Sequence, residues 1–417
     1  MKVLKRAVVT GLGAVSPIGN SVDEFWKNLV EGKSGAASIT KMDCSQYKTR
    51  FACEVKGFDS SEYLDPKEAR TMDLYSQYAM AASAQAFNDA RLDGVERDPY
   101  RCGVIFASGV GGLYTLQEEI VKYANSGYKP RFSPFMIPKM IANIAAGLIS
   151  IKFDFRGANY GVVSACASSS HALIDALNLI RLGKADVVIA GGSEASINAV
   201  GLGGFSALRA ISERNDDPAT ASRPFDKDRD GFVLGEGSAA LVIESLEHAQ
   251  ARNARIYAEL TGGGMTADAY HSTLPQPEGR SVYKSMALAL EDAEVKPEQI
   301  DYINLHATST PAGDVPEMLA VQKLFADSID KLHVSGTKSM TGHLLGAAGA
   351  LEATATVLAI CNNTVPPTIN TQNVDDAIDS RVNLTLGKAV EKEVNMAMSN
   401  TFGFGGQNAS LVFSKYR

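Results

Sequence analysis

One thiol, two imidazoles and an ammonium group carry the chemistry this sequence is equipped for. Cys166 lies in Gly161-Val162-Val163-Ser164-Ala165-Cys166-Ala167-Ser168-Ser169-Ser170. The apolar, β-branched run at 160–164 reads as a buried strand. Leu173, Ala176, Leu177 and Ile180 then recur at helical spacing, with Gly183 as a stop. Cys166 therefore sits where a strand turns into a helix. A thiol there meets unpaired backbone N–H groups and the positive end of the helix dipole, which favour thiolate, the nucleophilic form. The same N–H groups suit the oxyanion of an attacked thioester or acyl carbonyl. A buried structural cysteine is the competing reading; the turn and the small neighbours Ala165, Ala167, Ser168 and Ser169 weigh against it.

The sequence has six histidines. His248 and His333 read as structural, His271 as solvated, and His171 as packed within the Cys166 helix. His306 ends an apolar strand (302–305) and opens the loop Ala307-Thr308-Ser309-Thr310-Pro311. His343 follows Lys338-Ser339-Met340-Thr341-Gly342 just before another helix. Two neutral imidazoles beside a thiol can donate hydrogen bonds to a carbonyl oxygen that becomes an enolate. Lys338 is placed to fix the tautomer and orientation of His343. Strand ends and helix starts converge in one crevice where open α/β sheets carry their sites.

The elements that must position these groups alternate strand and helix along 417 residues. The pattern around 7–10, 102–107 and 239–243 returns at 258–264, 300–305 and 409–413, and the Cys166 helix is answered by a helix at 337–360. Such an echo predicts a duplicated α/β fold, with its seam near 249–256 and halves 1–252 and 253–417. Gly11-Leu12-Gly13 is not a dinucleotide fingerprint, because Ser16 occupies the third position and Pro17 follows. Ala79, Ala82 and Ala86 fall on one face of a helix within 66–90 and permit close packing. Asp226, Asp228, Asp230 and Gly231 mimic an EF-hand opening, but Gly237 stands where the bidentate Glu is needed. Five cysteines without regular spacing argue against a disulfide framework or zinc site and fit a reducing compartment. Met1-Lys2-Val3-Leu4-Lys5-Arg6 begins like a signal peptide, but Gly11, Gly13, Pro17 and Gly19 break the apolar run behind it. No membrane span is read, and a net charge of −7 shows no nucleic-acid footprint. A cytoplasmic protein is expected.

The glycine-dense stretch Ser399-Asn400-Thr401-Phe402-Gly403-Phe404-Gly405-Gly406 reads either as a tight turn before the last strand or as a mobile aromatic wall over a pocket. Taken in order with Val163 to Ser169, Asn304 to Pro311, Lys338 to His343, and Arg223-Pro224-Phe225-Asp226 to Gly237, it resembles the β-ketoacyl-[acyl-carrier-protein] synthases of the elongating type, closest to type II. The resemblance runs from Val8 to Phe413. It implies a thiolase-like fold, two βαβαβαββ halves in a five-layered α-β-α-β-α sandwich, as a homodimer. It implies Cys166 as the acylated nucleophile, His306 and His343 as its partners, Lys338 as their organiser, and the amides of Cys166 and Phe404 as the oxyanion hole. Thr308 and Thr310 would hold a pantetheine arm, Phe404 and Phe402 would border the site, and Val110 and Phe205 would line the acyl pocket. Lys67, Arg70, Arg131 and Arg209 match a region that docks the acidic acyl carrier protein. Asn304, Glu352, Ser399 and Asn400 match a structural Na+ or K+ site; no cofactor is required.

The implied reaction is decarboxylative condensation of an acyl chain on Cys166 with malonyl carrier protein, as in fatty acid elongation or a specialised polyketide pathway. A thiolase would need a second cysteine near the C-terminus, and the last cysteine is Cys361. A cysteine hydrolase would release free acid, and a non-catalytic partner subunit would lack the nucleophile. Three residues depart from the family pattern. Ala307 replaces a glycine and is expected to add a methyl near the pantetheine, Gln407 stands where Thr or His is commoner, and Val110 is smaller than the usual Ile.

Overall fold

The computed structural model describes residues 4–417; the signal-like start at Met1-Lys2-Val3 lies outside them. Ten of the eleven strands of the central sheet build the scaffold, the eleventh being the short edge strand Asn383–Leu384. Those of the first half are β1 (Ala7–Val15), β2 (Cys102–Ala107), β3 (Asn159–Val162), β4 (Val187–Glu194) and β5 (Gly237–Ser245). Those of the second are β6 (Ala258–Ala267), β7 (Tyr302–Asn304), β8 (His333–Ser335), β9 (Met396–Gly403) and β10 (Gln407–Ser414). The first half pairs in the order β3-β2-β4-β5-β1, and the second in the order β8-β7-β9-β10-β6. Each order is 3-2-4-5-1 counted from the start of its half, with the fifth strand antiparallel to the other four. The duplication expected from the sequence echo is therefore present in the topology. The halves join edge to edge through β1 and β6 over two residue pairs, Val8 with Glu259 and Val9 with Ala258.

Helices fill three of five layers, and the two half-sheets lie between them. Helix α1 (Leu74–Asp89) covers the outer face of the first sheet, and α3 (Arg280–Asp292) and α4 (Asp314–Leu324) cover that of the second. Helices α2 (Ser168–Arg181) and α5 (Ala348–Asn362) share the middle layer and the largest apolar cluster. The α5 sequence is apolar on every side because it is buried on every side. The window Leu345–Asn362 has the length and composition of a membrane span, yet 89% of it is buried within the fold.

The paired glycines of β1 explain themselves in this packing. A Cβ on Gly11 would lie 2.2 Å from the Ala86 carbonyl oxygen, and one on Gly13 only 1.9 Å from that of Ala82. The GxG pair is thus a seat for the small-residue face of α1 rather than a phosphate turn. The second half repeats the device, where a Cβ on Gly262 would meet Ala289 O at 2.5 Å and one on Gly264 would meet Ser285 O at 2.1 Å. Because the obstacle is helix backbone, Gly13→Ala is expected to lower stability by about 3 kcal/mol, read as a lower urea midpoint with unchanged slope.

Two readings need correction. Residues 160–164 form no buried strand: β3 is an edge, with Tyr160 and Val163 exposed by 40% and 60%. Tyr160 and Val163 face outward with no cover among the described residues, while Val162 packs against the central core. Ala307 does not project toward a pantetheine site either; it is buried in the outer core of the second half, in one cluster with Phe225 and Ile303. In the EF-hand-like loop the Asp226 carboxylate is taken up by main-chain N–H groups, accepting the amides of Asp228 and, from a distant segment, Gln372 and Asn373 at 2.7–2.9 Å.

Candidate active site

Cys166 stands at a sharp elbow between β3 and α2. Ala165 has φ +48°, which a non-glycine residue adopts only at a cost. The elbow is locked by Ser168, whose Oγ donates to Ala165 O at 2.6 Å and accepts the Ser164 N–H at 2.8 Å. The backbone N–H groups of Cys166 and Phe404 both face the thiol sulfur. Such close approach requires Gly403, where a Cβ would come within 2.9 Å of Ser164 O and 3.0 Å of Cys166 N. Gly403→Ala is accordingly expected to displace this pair of donors and slow acylation of Cys166 by about 10²-fold, measured by the rate of mass gain with an acyl donor.

His306 follows β7. Glu317 on α4 grips the turn, accepting the amides of His306 and Ala307 at 2.8 Å each. The Lys338 ammonium donates to His306 O at 2.7 Å and lies 3.3 Å from His306 Nδ1. An ammonium has no acceptor, so Nδ1 accepts and the proton resides on Nε2. The tautomer that Lys338 fixes is that of His306, not of His343 as the sequence order had led us to expect. Glu352 on α5 neutralises the buried Lys338 through a direct ion pair. His343 is held by its backbone, donating to Val233 O at 2.7 Å and accepting from Gly235 N at 2.9 Å. Its Nε2 lies 3.0 Å from Cys166 Sγ, and the two imidazoles meet edge to face at 5.4 Å.

Burial decides the protonation states. It pushes the Cys166 thiol up to about 11, although the Phe404 amide and the Lys338 charge oppose the rise. The helix-start argument therefore has the wrong net sign here. Helix α2 begins two residues later, and desolvation in a nearly closed site outweighs the dipole. Burial, then the Lys338 charge, hold both histidines well below their ordinary value. The resting pair is a neutral thiol beside a neutral imidazole.

These groups open onto a cavity of about 500 Å³. Val110, Phe205, Thr308, Thr310, Phe402 and Phe404 all line it with Cys166, His306 and His343. A buried thiol, two neutral imidazoles and paired oxyanion donors around an apolar chamber suit acyl transfer followed by enolate chemistry. The family described as "Beta-ketoacyl synthase, N-terminal domain" matches residues 5–249, and "Beta-ketoacyl synthase, C-terminal domain" matches residues 257–372. The chain belongs to the β-ketoacyl synthase family.

A 3-oxoacyl-[acyl-carrier-protein] synthase 2 from Synechocystis is 49% identical over 413 residues, 99% of each chain. The solved β-ketoacyl synthase from Burkholderia phymatum is 36% identical, with TM-score 0.91 over 99% of this chain and 100% of that one. A type II polyketide acyl carrier protein in complex with its ketosynthase contains a chain 31% identical, with TM-score 0.92 and coverage of 99% and 100%.

Within this β-ketoacyl synthase, Lys67, Arg70, Arg131 and Arg209 are exposed, and none forms an ion pair among the described residues. Arg209 also lines the cavity. Of the residues matched to a cation, Asn304 and Ser399 are register partners on β7 and β9 and share the face of Tyr302 and Ala397, which pack in the central core. Glu352 approaches from α5. The buried Ser399 Oγ and Glu352 Oε2 have no hydrogen-bond partner, as a cation's oxygen ligands would. The Asn400 side chain does not join them; it points to the opposite face, toward Met286 on α3. Glu317, Asp314 and Glu194 were missed by sequence reasoning. All three are buried carboxylates that accept main-chain amides. The available signal was an acidic residue in or next to an apolar run, beside a loop already flagged.

Proposed function

We propose that the chain elongates acyl chains by decarboxylative condensation, joining an acyl group on Cys166 to malonyl carrier protein to give 3-oxoacyl carrier protein and CO2 in type II fatty acid biosynthesis. The contact of Cys166 Sγ with His343 Nε2 at 3.0 Å, beside a His306 whose Nε2–H is fixed, carries this reading. In the first stage the thiol proton passes to His343 as sulfur attacks the acyl thioester. The carrier thiol leaves with that proton, and the Cys166 and Phe404 amides hold the oxyanion. In the second stage the malonyl carboxylate departs as CO2, and its electron pair moves onto the thioester oxygen, which accepts the fixed His306 Nε2–H and that of His343 once the His343 proton has moved from Nδ1 to Nε2. The resulting carbanion attacks acyl-Cys166, and the expelled thiolate takes one proton from solvent. Loss of CO2 supplies the carbanion, so no strong base is needed.

The acidic carrier protein docks on Lys67, Arg70, Arg131 and Arg209 in this reading, and a monovalent cation sits at Asn304, Ser399 and Glu352. The reaction itself needs no cofactor. Five free cysteines fit the reducing cytoplasm. The protein acts as a homodimer, with β3 of one copy pairing with that of another; an uncovered edge strand with Tyr160 and Val163 exposed invites such pairing. Val163→Asp should then shift the sedimentation coefficient from dimer to monomer, and an unchanged dimer would place the interface elsewhere.

Intact mass spectrometry tests the chemistry. The protein is mixed with an acyl carrier protein bearing a medium or long chain, then with malonyl carrier protein. An adduct on Cys166 should form and disappear as a ketoacyl product two carbons longer appears. An adduct decaying to free acid would mean a hydrolase, and none with any primer would sink the proposal.

A further inference from the structure

Glu194 closes β4 with its carboxylate fully buried, and nothing in the chemistry above uses it. Five donors converge on it. Oε2 accepts the backbone N–H of Gly109 at 2.8 Å and of Gly346 at 3.1 Å. Oε1 accepts from Ser108 Oγ at 3.2 Å, Val110 N at 3.3 Å and Ser196 Oγ at 3.4 Å. The donors come from three segments, namely the loop after β2, the turn that follows His343, and the residues just after β4. Val110 and Leu345, beside these donors in the chain, both line the cavity that holds Cys166.

The two walls have no side chains of their own at the point where they meet. A Cβ on Gly346 would lie 2.2 Å from Gly109 N, and a Cβ on either glycine would lie 2.9 Å from Glu194 Oε2. Their spacing is therefore set by shared hydrogen bonds to one carboxylate rather than by interlocking side chains. Burial raises this carboxyl to about 7, so at pH 8, the pH of the assay below, it is ionised and offers acceptors only. A glutamine of the same size would turn an NH2 group toward one set of N–H donors and drive that wall away. Ser108 reinforces the loop, since its Oγ also accepts the Gly111 N–H at 2.9 Å.

We propose that Glu194 is a positioning residue that fixes the width of the acyl pocket beside Cys166, and so its discrimination between straight and methyl-branched primers. The inference rests on the condensation reading above. Initial rates are compared at pH 8 for straight and methyl-branched acyl carrier proteins of equal carbon number. In Glu194→Gln the branched-to-straight ratio of kcat/KM should rise about tenfold, the scale of one methyl group in an apolar pocket. Ser108→Ala, which removes one donor and keeps the carboxylate, should move the ratio the same way by a smaller factor, and it decides the matter if Glu194→Gln does not fold. A ratio unchanged in both variants, or equal losses for both primers with a lowered Tm, overturns the proposal and leaves Glu194 a purely structural residue. The wild-type protein in the same assay separates the two readings: absence of extended product from every primer sinks condensation itself, whereas an unmoved ratio sinks only the role of Glu194.

Discussion

Replacing Lys338 with Met is expected to cut malonyl decarboxylation by about 10³-fold while Cys166 still takes an acyl chain. The ammonium touches His306 at both Nδ1 and the carbonyl oxygen and does not reach the thiol by any hydrogen bond. Without it nothing holds the His306 proton on Nε2, and the enolate loses its fixed donor. Acylation uses His343 and the amide pair, which Lys338 does not hold. Removing one partner of a buried ion pair also threatens the fold by about 3–5 kcal/mol. Burial has already raised the Glu352 carboxyl to about 7, so it can be neutralised by protonation. The double variant Lys338→Met/Glu352→Gln removes the residual charge altogether. It should recover thermal stability without recovering decarboxylation. Near-normal CO2 release by the stable double variant would show that Lys338 serves only the fold.

Alkylation of Cys166 should accelerate close to tenfold for each pH unit from 8 to 10. The thiol sits at about 11 because burial disfavours its charged form, so below that pH the thiolate fraction rises tenfold per unit. The groups facing it do not blunt the slope. His343 and His306 stay neutral throughout this range, and the Glu194 and Glu352 carboxyls, raised by burial to about 7, are already ionised. A thiolate–imidazolium pair would instead give a profile flat above pH 6. Iodoacetamide labelling, followed by peptide mass mapping at Cys166, distinguishes the two. A flat profile would overturn the neutral resting pair and restore the helix-start argument.

The sequence made the reacting groups legible because each sits at a local landmark. Cys166 marks a change from strand to helix, His306 a strand end, and His343 a turn before an apolar helix. The echo of β1 in β6 was also legible, since its cause, two glycines seated on a helix, is written within a few residues. What stayed hidden depends on contacts between distant segments. Glu194 meets Gly346 across 152 positions, and no window of sequence shows that. The same is true of Lys338 turning to His306 across 32 positions instead of toward its near neighbour His343. Burial was read correctly for core strands but not for β3, because an edge strand and a central one have the same composition. The sign of the Cys166 shift failed for a related reason: a dipole is a local property, whereas desolvation is set by everything that surrounds the sulfur.

The shared middle layer has a consequence for how the protein is made. Helix α2 presents one face to its own sheet and another to α5, β6 and β10, all of which come later in the chain. When the ribosome has released β5, that second face has no cover. At ~5–20 residues per second the remaining chain takes roughly 10–30 s to emerge. During that interval the nascent chain displays a broad apolar surface bearing the completed nucleophile elbow but neither His306 nor His343. Capture by a chaperone at this stage, rather than after release, is what the architecture calls for.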